Sequence, residues 1–457
     1  MQLDFNKPIH VYFCGIGGIS MSGLAEILAD RGFRVSGSDM KASELTDSLE
    51  AKGIKIYIGQ RATNITDDID LFVYTAAISK DNPEWTEMVA KNIPNMSRAD
   101  LLGQIMTNYE LPIAISGTHG KTTTTSMVSE VLLGADLDPT LSVGGILKSI
   151  GGNIRIGRSD YFVTEACEYT NSFLSFFPKI SLILNIEEDH MDFFKDINDI
   201  RNSFRRFAEI LPADGALVIN GEIDSYTEIT DGLECKIYTF GLDNSFDYYA
   251  TDIRFAENGC ATYLLHSPNG ECEVSLGVPG KHNVYNSLAC FCCADLCKVD
   301  RATTLAALSR FTGTNRRFEY KGKIGEVTIV DDYAHHPTEI ESTLRTALTI
   351  PHGKLWVAFQ PHTYTRTKAF LTQFADALSL ADGIILADIY AAREKNTIGI
   401  TSRDLQREII SRGKDCTYFP TFDEIENFIL ENCSPGDLLI TMGAGDIVKV
   451  GESLLGL

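Results

Sequence analysis

The run Pro112-Ile-Ala-Ile-Ser-Gly-Thr-His-Gly-Lys-Thr-Thr-Thr-Thr125 leaves a chain few ways to fold. It reads as a short apolar strand, a glycine turn, and the start of a helix continuing through Met127, Val128, Val131 and Leu132. Gly117 and Gly120 let the backbone come close to a phosphate and turn its N–H groups toward it. Lys121 supplies a mobile cation for terminal phosphates, and Thr122 a hydroxyl suited to Mg²⁺. The helix N-terminus behind the turn adds its own positive end. The full phosphate-loop pattern carries a glycine where Ile115 stands, so the loop is the shortened GTHGKTT. A strand before and a helix after favour a nucleotide site over a glycine turn with a surface lysine.

Composition narrows the setting. A chain of 457 residues is too long for one ordinary core and implies two or three domains. A formal net charge of −22 argues against a nucleic-acid or anionic-membrane partner, so any phosphate must be held by local devices. No apolar run approaches the ~20 residues of a membrane span. The N-terminal stretch Met-Gln-Leu-Asp-Phe-Asn-Lys lacks the pattern of a secretory signal. Eleven cysteines at irregular spacing fit free thiols in a reducing cytoplasm.

Strand and helix alternate from the start. Ile9 to Phe13 is apolar and enters Gly15-Ile-Gly-Gly-Ile-Ser-Met-Ser-Gly-Leu-Ala, after which Leu24, Ile27 and Leu28 keep helical spacing. The next strand ends in Asp39, a Rossmann arrangement in which the acid usually holds a ribose. Taken alone this segment also fits a dehydrogenase, but Ser20 stands where GxGxxG has its third glycine, and no nicotinamide-binding half follows. Further strand–helix units are expected at Leu71–Thr75 and Pro94–Met106, and a domain boundary near Tyr109. In the middle of the chain, a strand ends at Glu165, and Ile180 to Ile186 leads into Glu187-Glu-Asp-His-Met-Asp192. Gly280-Lys-His-Asn-Val-Tyr-Asn-Ser opens a later helix with amides suited to an adenine edge, or to capping by Asn283. On that helix Cys290, Cys293 and Cys297 share a face and read as core thiols rather than a zinc site. Beyond Gly313, strands ending in Asp331-Asp-Tyr-Ala-His-His336, at Phe359 and at Met442 form a second parallel sheet. Their C-terminal ends gather acidic and basic residues.

Taken in order, GIGGISMSGLA (15–25), SGTHGKTTTTSM (116–127), EACEY (165–169), NIEEDHMDFF (185–194), GKHNVYNSLA (280–289), NRRFE (315–319), DDYAHHPTEI (331–340) and FQPHTYTRT (359–367) resemble the Mur ligases along the whole chain, and most closely their alanine-adding branch. The resemblance implies an α/β protein of three domains. These are an N-terminal Rossmann-like domain for the UDP-sugar (1–108), a central P-loop ATPase-like domain (109–314) and a C-terminal Rossmann-like domain for the amino acid (315–457). It implies ATP and Mg²⁺, with UDP-N-acetylmuramate and L-alanine as substrates, in cytoplasmic peptidoglycan synthesis. It leaves an oligomer possible.

Carried onto matching positions, Gly117, Thr118, His119, Gly120, Lys121, Thr122 and Thr123 would hold ATP, with Lys121 at the transferred phosphate. Thr122 and Glu165 would serve one Mg²⁺, and Glu165 and His190 a second. His282, Asn283 and Asn286 would lie near the adenine, with Arg316 or Arg317 and Asp331 or Asp332 completing the nucleotide site. Tyr333, His335 and Arg366 would face the amino acid, His335 orienting the amine or taking its proton through a near-neutral imidazole. Gly15, Gly17, Gly18, Met21, Ser22 and Asp39 would frame the uridine diphosphate. Phe204 stands where several sister ligases carry a carbamylated lysine, which again resembles the alanine-adding branch. The rivals are a ligase recycling a whole peptide onto the same nucleotide sugar, a Rossmann oxidoreductase with a regulatory ATPase, and a non-catalytic nucleotide switch.

Overall fold

The computed structural model describes residues 2–75 and 77–457 as three sheets with helices on their faces. In the first, all strands are parallel, in the order Lys55–Ile58, Arg34–Asp39, His10–Cys14, Leu71–Tyr74, Asn95–Ser97. Strand order reverses at His10–Cys14, so the glycine loop that follows it lies at the crevice where such sheets bind ligands. The second sheet has ten strands. Its centre is Leu111–Ser116, flanked in parallel by Ile180–Ile183 and Tyr161–Ala166, so the loops after all three emerge side by side. The segment from 221 to 279, uninformative in sequence, adds Lys236–Gly241, Tyr248–Phe255, Cys260–His266 and Cys272–Pro279 to one edge.

The third sheet runs Glu319–Ile324, Val327–Asp332, Leu438–Met442, Leu355–Phe359, Gly383–Leu386, Cys416–Tyr418. It is parallel except for the first strand, an antiparallel edge that the sequence reading did not foresee. Cys290, Cys292 and Cys293 are buried free thiols within the helix Lys281–Leu296. That helix packs against the phosphate-loop helix Lys121–Gly134.

The domains are joined in two different ways. One continuous apolar cluster runs from Val11, Phe13 and Leu102 in the first sheet's layers to Phe162, Phe173, Phe204 and Phe207 in the central domain. Phe204 lies edge-on to Phe173 with centroids 5.4 Å apart, so this position is core packing. Arg31 donates to the Gly157 carbonyl at 2.8 Å, and Ser175 Oγ donates to Asp100 at 2.7 Å across the same boundary. The C-terminal sheet has its own clusters, around Phe359, Phe374 and Ile440 on one face and Ile329, Ile385 and Ile425 on the other. Met191 packs against it from the central domain, but otherwise this contact is largely polar.

Gly103 marks how closely the first two domains approach, since a Cβ there would overlap the Ser175 carbonyl. Gly103→Ala should therefore cost about 1–3 kcal/mol by overpacking, read as a lower urea midpoint. An unchanged midpoint would mean that this helix is not held against the central domain.

Candidate active site

The phosphate loop has the backbone that its glycines were expected to permit. Gly117 lies at φ +143° and Gly120 at φ +82°, where a side chain is strained, and a Cβ on Gly120 would also stand 2.7 Å from Asn286 Oδ1. The loop is pinned from the neighbouring strand end. Asn185 accepts the His119 N–H at 2.7 Å and donates to the His119 carbonyl at 3.0 Å. The Glu187 N–H donates to Thr118 Oγ1 at 2.9 Å. Lys121 folds back over the loop, donating to the Gly117 and Thr118 carbonyls and pairing with Glu168 at 3.0 Å. Burial works against the ammonium, but Glu168, helped by Cys167 and Glu165, outweighs it and holds the pKa above the ordinary lysine range. An arriving phosphate would compete with Glu168 for this charge.

Glu165 is the penultimate residue of the strand Tyr161–Ala166, one residue before its end, and its Oε1 accepts the Gly144 N–H at 2.6 Å. Thr122 is buried beside Gly145, so the two expected metal ligands flank one glycine pair. His190, at φ +54°, stacks on Tyr169 with centroids 4.5 Å apart. Its Nε2 lies 3.9 Å from Glu168 and 3.7 Å from Asp189. Burial lowers the His190 pKa and leaves a neutral imidazole with a lone pair to offer. Glu168, not singled out in sequence, is thus the carboxylate that neighbours both Lys121 and His190. Thr122 and Glu165, beside Gly145 and Gly144, and Glu168 with His190 3.9 Å away offer oxygen donors and one imidazole of the kinds that Mg²⁺ takes.

A cavity of about 440 Å³ opens between the central and C-terminal domains, lined among others by His119, Thr123, His282, Asn286, Arg317 and Asp332. His282 Nδ1 is 2.8 Å from Ser342 Oγ, and burial pushes its pKa down to about 4, so it is neutral. Asn283, also lining the cavity, donates to the Pro279 carbonyl at 2.7 Å and accepts from Asn286 at 2.9 Å. The choice left open between neighbouring residues resolves in space. Arg317 and Asp332 line the cavity, and burial raises Asp332 to about 6. Arg316 instead pairs with Asp331 at 3.0 Å and donates to the Gly443 carbonyl at 2.7 Å, while Asp331 accepts from Thr441 at 2.7 Å. This second pair braces the strand ends and does not line the cavity.

Beside it lies another cavity of about 440 Å³, lined by Tyr169, His190, His362, Arg366, Arg393 and Glu394 among others. Arg366 is not free there, because its Nη2 pairs with Asp189 at 2.8 Å. Tyr333 and His335 are outside this lining. Tyr333 has the guanidinium groups of Arg316 and Arg317 over its ring at 5.0 and 5.2 Å. His335 donates its backbone N–H to Glu339 at 3.1 Å, with Nδ1 3.0 Å from the Tyr333 carbonyl. Burial pushes its imidazole down to about 4, which corrects the near-neutral expectation: His335 is neutral and a weak base.

Glu339 is the second residue that sequence reading missed. It lies in the first turn of the helix Pro337–Ala347, capped by His336 with Pro337 at the first helical position. Its carboxylate is 3.3 Å from His119 Nδ1 on the phosphate loop and 3.9 Å from Arg317. His119 Nε2 in turn lies 3.5 Å from Glu187. Burial opposes a charge on His119, but the two carboxylates outweigh it and raise its pKa to about 9.

In the N-terminal domain the expected substrate loop is self-braced. Gly15 donates to the Ser38 carbonyl at 2.8 Å, and Asp39 accepts the Gly17 N–H at 2.9 Å and the Met40 N–H at 2.7 Å. Gly18 caps the helix Ile19–Asp30, in which Met21 and Ser22 are buried. Asp39 therefore shapes the glycine loop itself.

A histidine whose folded pKa is raised stabilises the fold fully below its unfolded value near 6.5, and that contribution is lost as pH rises through the folded value. In metal-free protein, the His119 ring resonance should titrate near pH 9 by NMR. In Glu339→Gln its midpoint should move toward 6.5. A midpoint near 6.5 in the unaltered chain would contradict the ion-pair geometry.

Comparison with known proteins follows the same three-part division. Residues 10–110 match the description Mur ligase family, catalytic domain; residues 115–294 match Mur ligase middle domain; and residues 316–445 match Mur ligase, glutamate ligase domain. A relative from Agathobacter rectalis, named UDP-N-acetylmuramate–L-alanine ligase, is 58% identical over 455 residues, 99% of each chain. One of the same name from Clostridium botulinum is 51% identical over the full length of both. Among solved structures, the UDP-N-acetylmuramate–alanine ligase of Thermotoga maritima superposes with a TM-score of 0.81 at 29% identity over 98% of each chain. A murein peptide ligase from Psychrobacter arcticus shares the fold, with a TM-score of 0.71 at 24% identity over 98% of each chain. Matched domain by domain in order, and more than half identical to full-length relatives, the chain belongs to the Mur ligase family.

Proposed function

We propose that this protein joins L-alanine to the lactyl carboxylate of UDP-N-acetylmuramate at the expense of ATP, a step of cytoplasmic peptidoglycan synthesis. The relatives' shared name supports the substrates. One structural observation supports the chemistry: a row of polar side chains, ion-paired at its two ends and in looser contact through neutral His190, runs from the phosphate loop to a cation in a second cavity. It runs Lys121–Glu168 at 3.0 Å, Glu168–His190 at 3.9 Å, His190–Asp189 at 3.7 Å and Asp189–Arg366 at 2.8 Å. This proximity supports phosphoryl transfer and amide formation at one seam between the central and C-terminal domains.

A carboxylate is a poor electrophile, and converting it to an acyl phosphate gives it a leaving group. Lys121 neutralises charge on the transferring phosphoryl group while the loop N–H groups orient it. One Mg²⁺ held by Thr122 and Glu165 and a second served by Glu165 and His190, with Glu168 nearby, would add Lewis-acid stabilisation of the phosphate oxygens. Neutral His282, with Asn283 and Asn286, suits an adenine edge; Arg317 and Asp332 flank the rest of the nucleotide. The loop at Gly15, Gly17 and Gly18, shaped by Asp39, suits the uridine diphosphate. Arg366 receives the amino-acid carboxylate in exchange for Asp189, and Tyr333 and His335 stand behind this wall, His335 against His362 with ring centroids 5.6 Å apart. Seating the C-terminal domain excludes the water that would otherwise hydrolyse the acyl phosphate.

Arg366→Lys tests the assignment, because lysine cannot reproduce a two-pronged grip on a carboxylate. Losing one charged hydrogen bond costs about 1.5–3 kcal/mol, so KM for L-alanine should rise roughly 10- to 100-fold while KM for ATP stays within a few-fold. Glycine and serine should be the competing acceptors, since one methylene is worth only about 1–3 kcal/mol. D-Glutamate, diaminopimelate and the tripeptide should fail. Efficient use of the tripeptide would identify a recycling ligase instead, and equal effects on both KM values would remove Arg366 from the alanine site.

A further inference from the structure

Beside the phosphate loop, and separate from the Thr122–Glu165–Glu168–His190 set, stands a second group of donors. His119, Glu187 and His336 each present one donor atom, and these atoms lie within 4.8 Å of one another. His119 and Glu187 belong to the central domain, and His336 caps the first long helix of the C-terminal domain. His119 Nε2 is buried without a hydrogen-bond partner, 3.5 Å from Glu187 Oε2. Ligands on a tetrahedral ion with bonds of about 2.1 Å stand about 3.4 Å apart, so this pair already has the spacing of one tetrahedral edge.

The groups behind these donors are those that metal-binding histidines use. His119 Nδ1 is 3.3 Å from the Glu339 carboxylate, so a proton on Nδ1 leaves the Nε2 lone pair for an ion. His336 Nε2 is 3.0 Å from the Glu188 carbonyl, which fixes the proton there and leaves Nδ1 unprotonated. That Nδ1 otherwise receives only a long 3.4 Å contact from the Thr338 N–H. Glu187 Oε2 accepts from Thr338 Oγ1 at 2.7 Å, which orients the carboxylate. Two imidazoles and one carboxylate, each steered by a further partner, favour a borderline cation over Mg²⁺, which prefers oxygen donors.

We propose that His119, Glu187 and His336 form a site for a divalent cation of the zinc class, closed only when the C-terminal domain is seated on the phosphate loop. A fourth position is left for water or a phosphate oxygen. Binding replaces the proton on His119 Nε2 and ties the two domains together through the ion. Occupancy staples the enzyme shut and opposes product release, so such ions inhibit turnover in a way that Mg²⁺ does not relieve.

Cobalt(II) tests this on the whole, EDTA-treated chain in excess Mg²⁺, which fills oxygen-rich sites but competes poorly for imidazole. One equivalent of Co²⁺ should bind with the strong visible bands of a four-coordinate ion and no sulfur charge-transfer band. Zn²⁺ should displace it stoichiometrically. His119→Ala and Glu187→Gln, each checked for an unchanged thermal melt, should weaken binding at least about 100-fold. Glu339→Gln, which removes no donor atom of the site but changes the group behind His119, should weaken it about 10- to 100-fold while keeping the bands. His190→Ala should leave the bands unchanged. Weak six-coordinate absorption, a thiolate band, loss of the signal in His190→Ala, or full binding in both His119→Ala and Glu187→Gln would each overturn the proposal.

Discussion

The C-terminal domain is held to the rest of the chain by polar bonds instead of a shared apolar core, and the layout of the site depends on this. Burying apolar area favours one permanent arrangement, as between the first two domains, where one cluster includes both Phe13 and Phe207. Hydrogen bonds and ion pairs exchange with water at small net gain, so a polar seam can open and close. Three consecutive residues contribute to it, beside the His119–Glu339 and His282–Ser342 contacts. Glu187 accepts from Thr338, the Glu188 carbonyl faces His336, and Asp189 pairs with Arg366. All three follow the strand Ile180–Ile183, which lies next to the phosphate-loop strand. Whatever settles on the phosphate loop is therefore felt at once by the residues that hold the third domain.

Electrostatics at this seam is arranged by pairs. A chain of net charge −22 repels phosphates at long range, yet the cations needed for them are present and already neutralised locally. Lys121 rests on Glu168, Arg366 on Asp189, and His119 between Glu187 and Glu339. Each carboxylate keeps its cation in place and charged despite burial, as the raised pKa values of Lys121 and His119 express. Each is also what an anionic ligand must displace. Asp189 is the clearest case, since it pairs with Arg366 at 2.8 Å, and on the proposed function an amino-acid carboxylate takes its place.

Much of this was legible in sequence where a local pattern forces a local geometry. The GTHGKTT turn could be read because only glycine tolerates the backbone at residues 117 and 120, and strand-end acids such as Glu165 could be read because parallel sheets present their sites there. The three-domain α/β fold and the family followed from the ordered blocks. What could not be read depends on packing between distant segments. Glu168 immediately precedes the short 3₁₀ segment Tyr169–Ser175, where there is no periodic signal, and Glu339 looks like an ordinary first-turn helix acid until the phosphate loop is placed against it. Arg316 and Arg317 are indistinguishable in sequence, and only the folded chain sends one to Asp331 and the Gly443 carbonyl and the other to the cavity. The pKa of His335 near 4 is a burial effect that composition does not carry.

The central claim is that the phosphate site and the amine site at this seam act on one activated carboxyl group. Labelling both lactyl carboxylate oxygens of UDP-N-acetylmuramate with ¹⁸O tests it directly. Full turnover with ATP, Mg²⁺ and L-alanine should yield inorganic phosphate carrying one ¹⁸O per amide formed, because the acyl oxygen departs with the phosphoryl group. Amide formation with unlabelled phosphate would contradict activation through an acyl phosphate, and with it the account of the site given above.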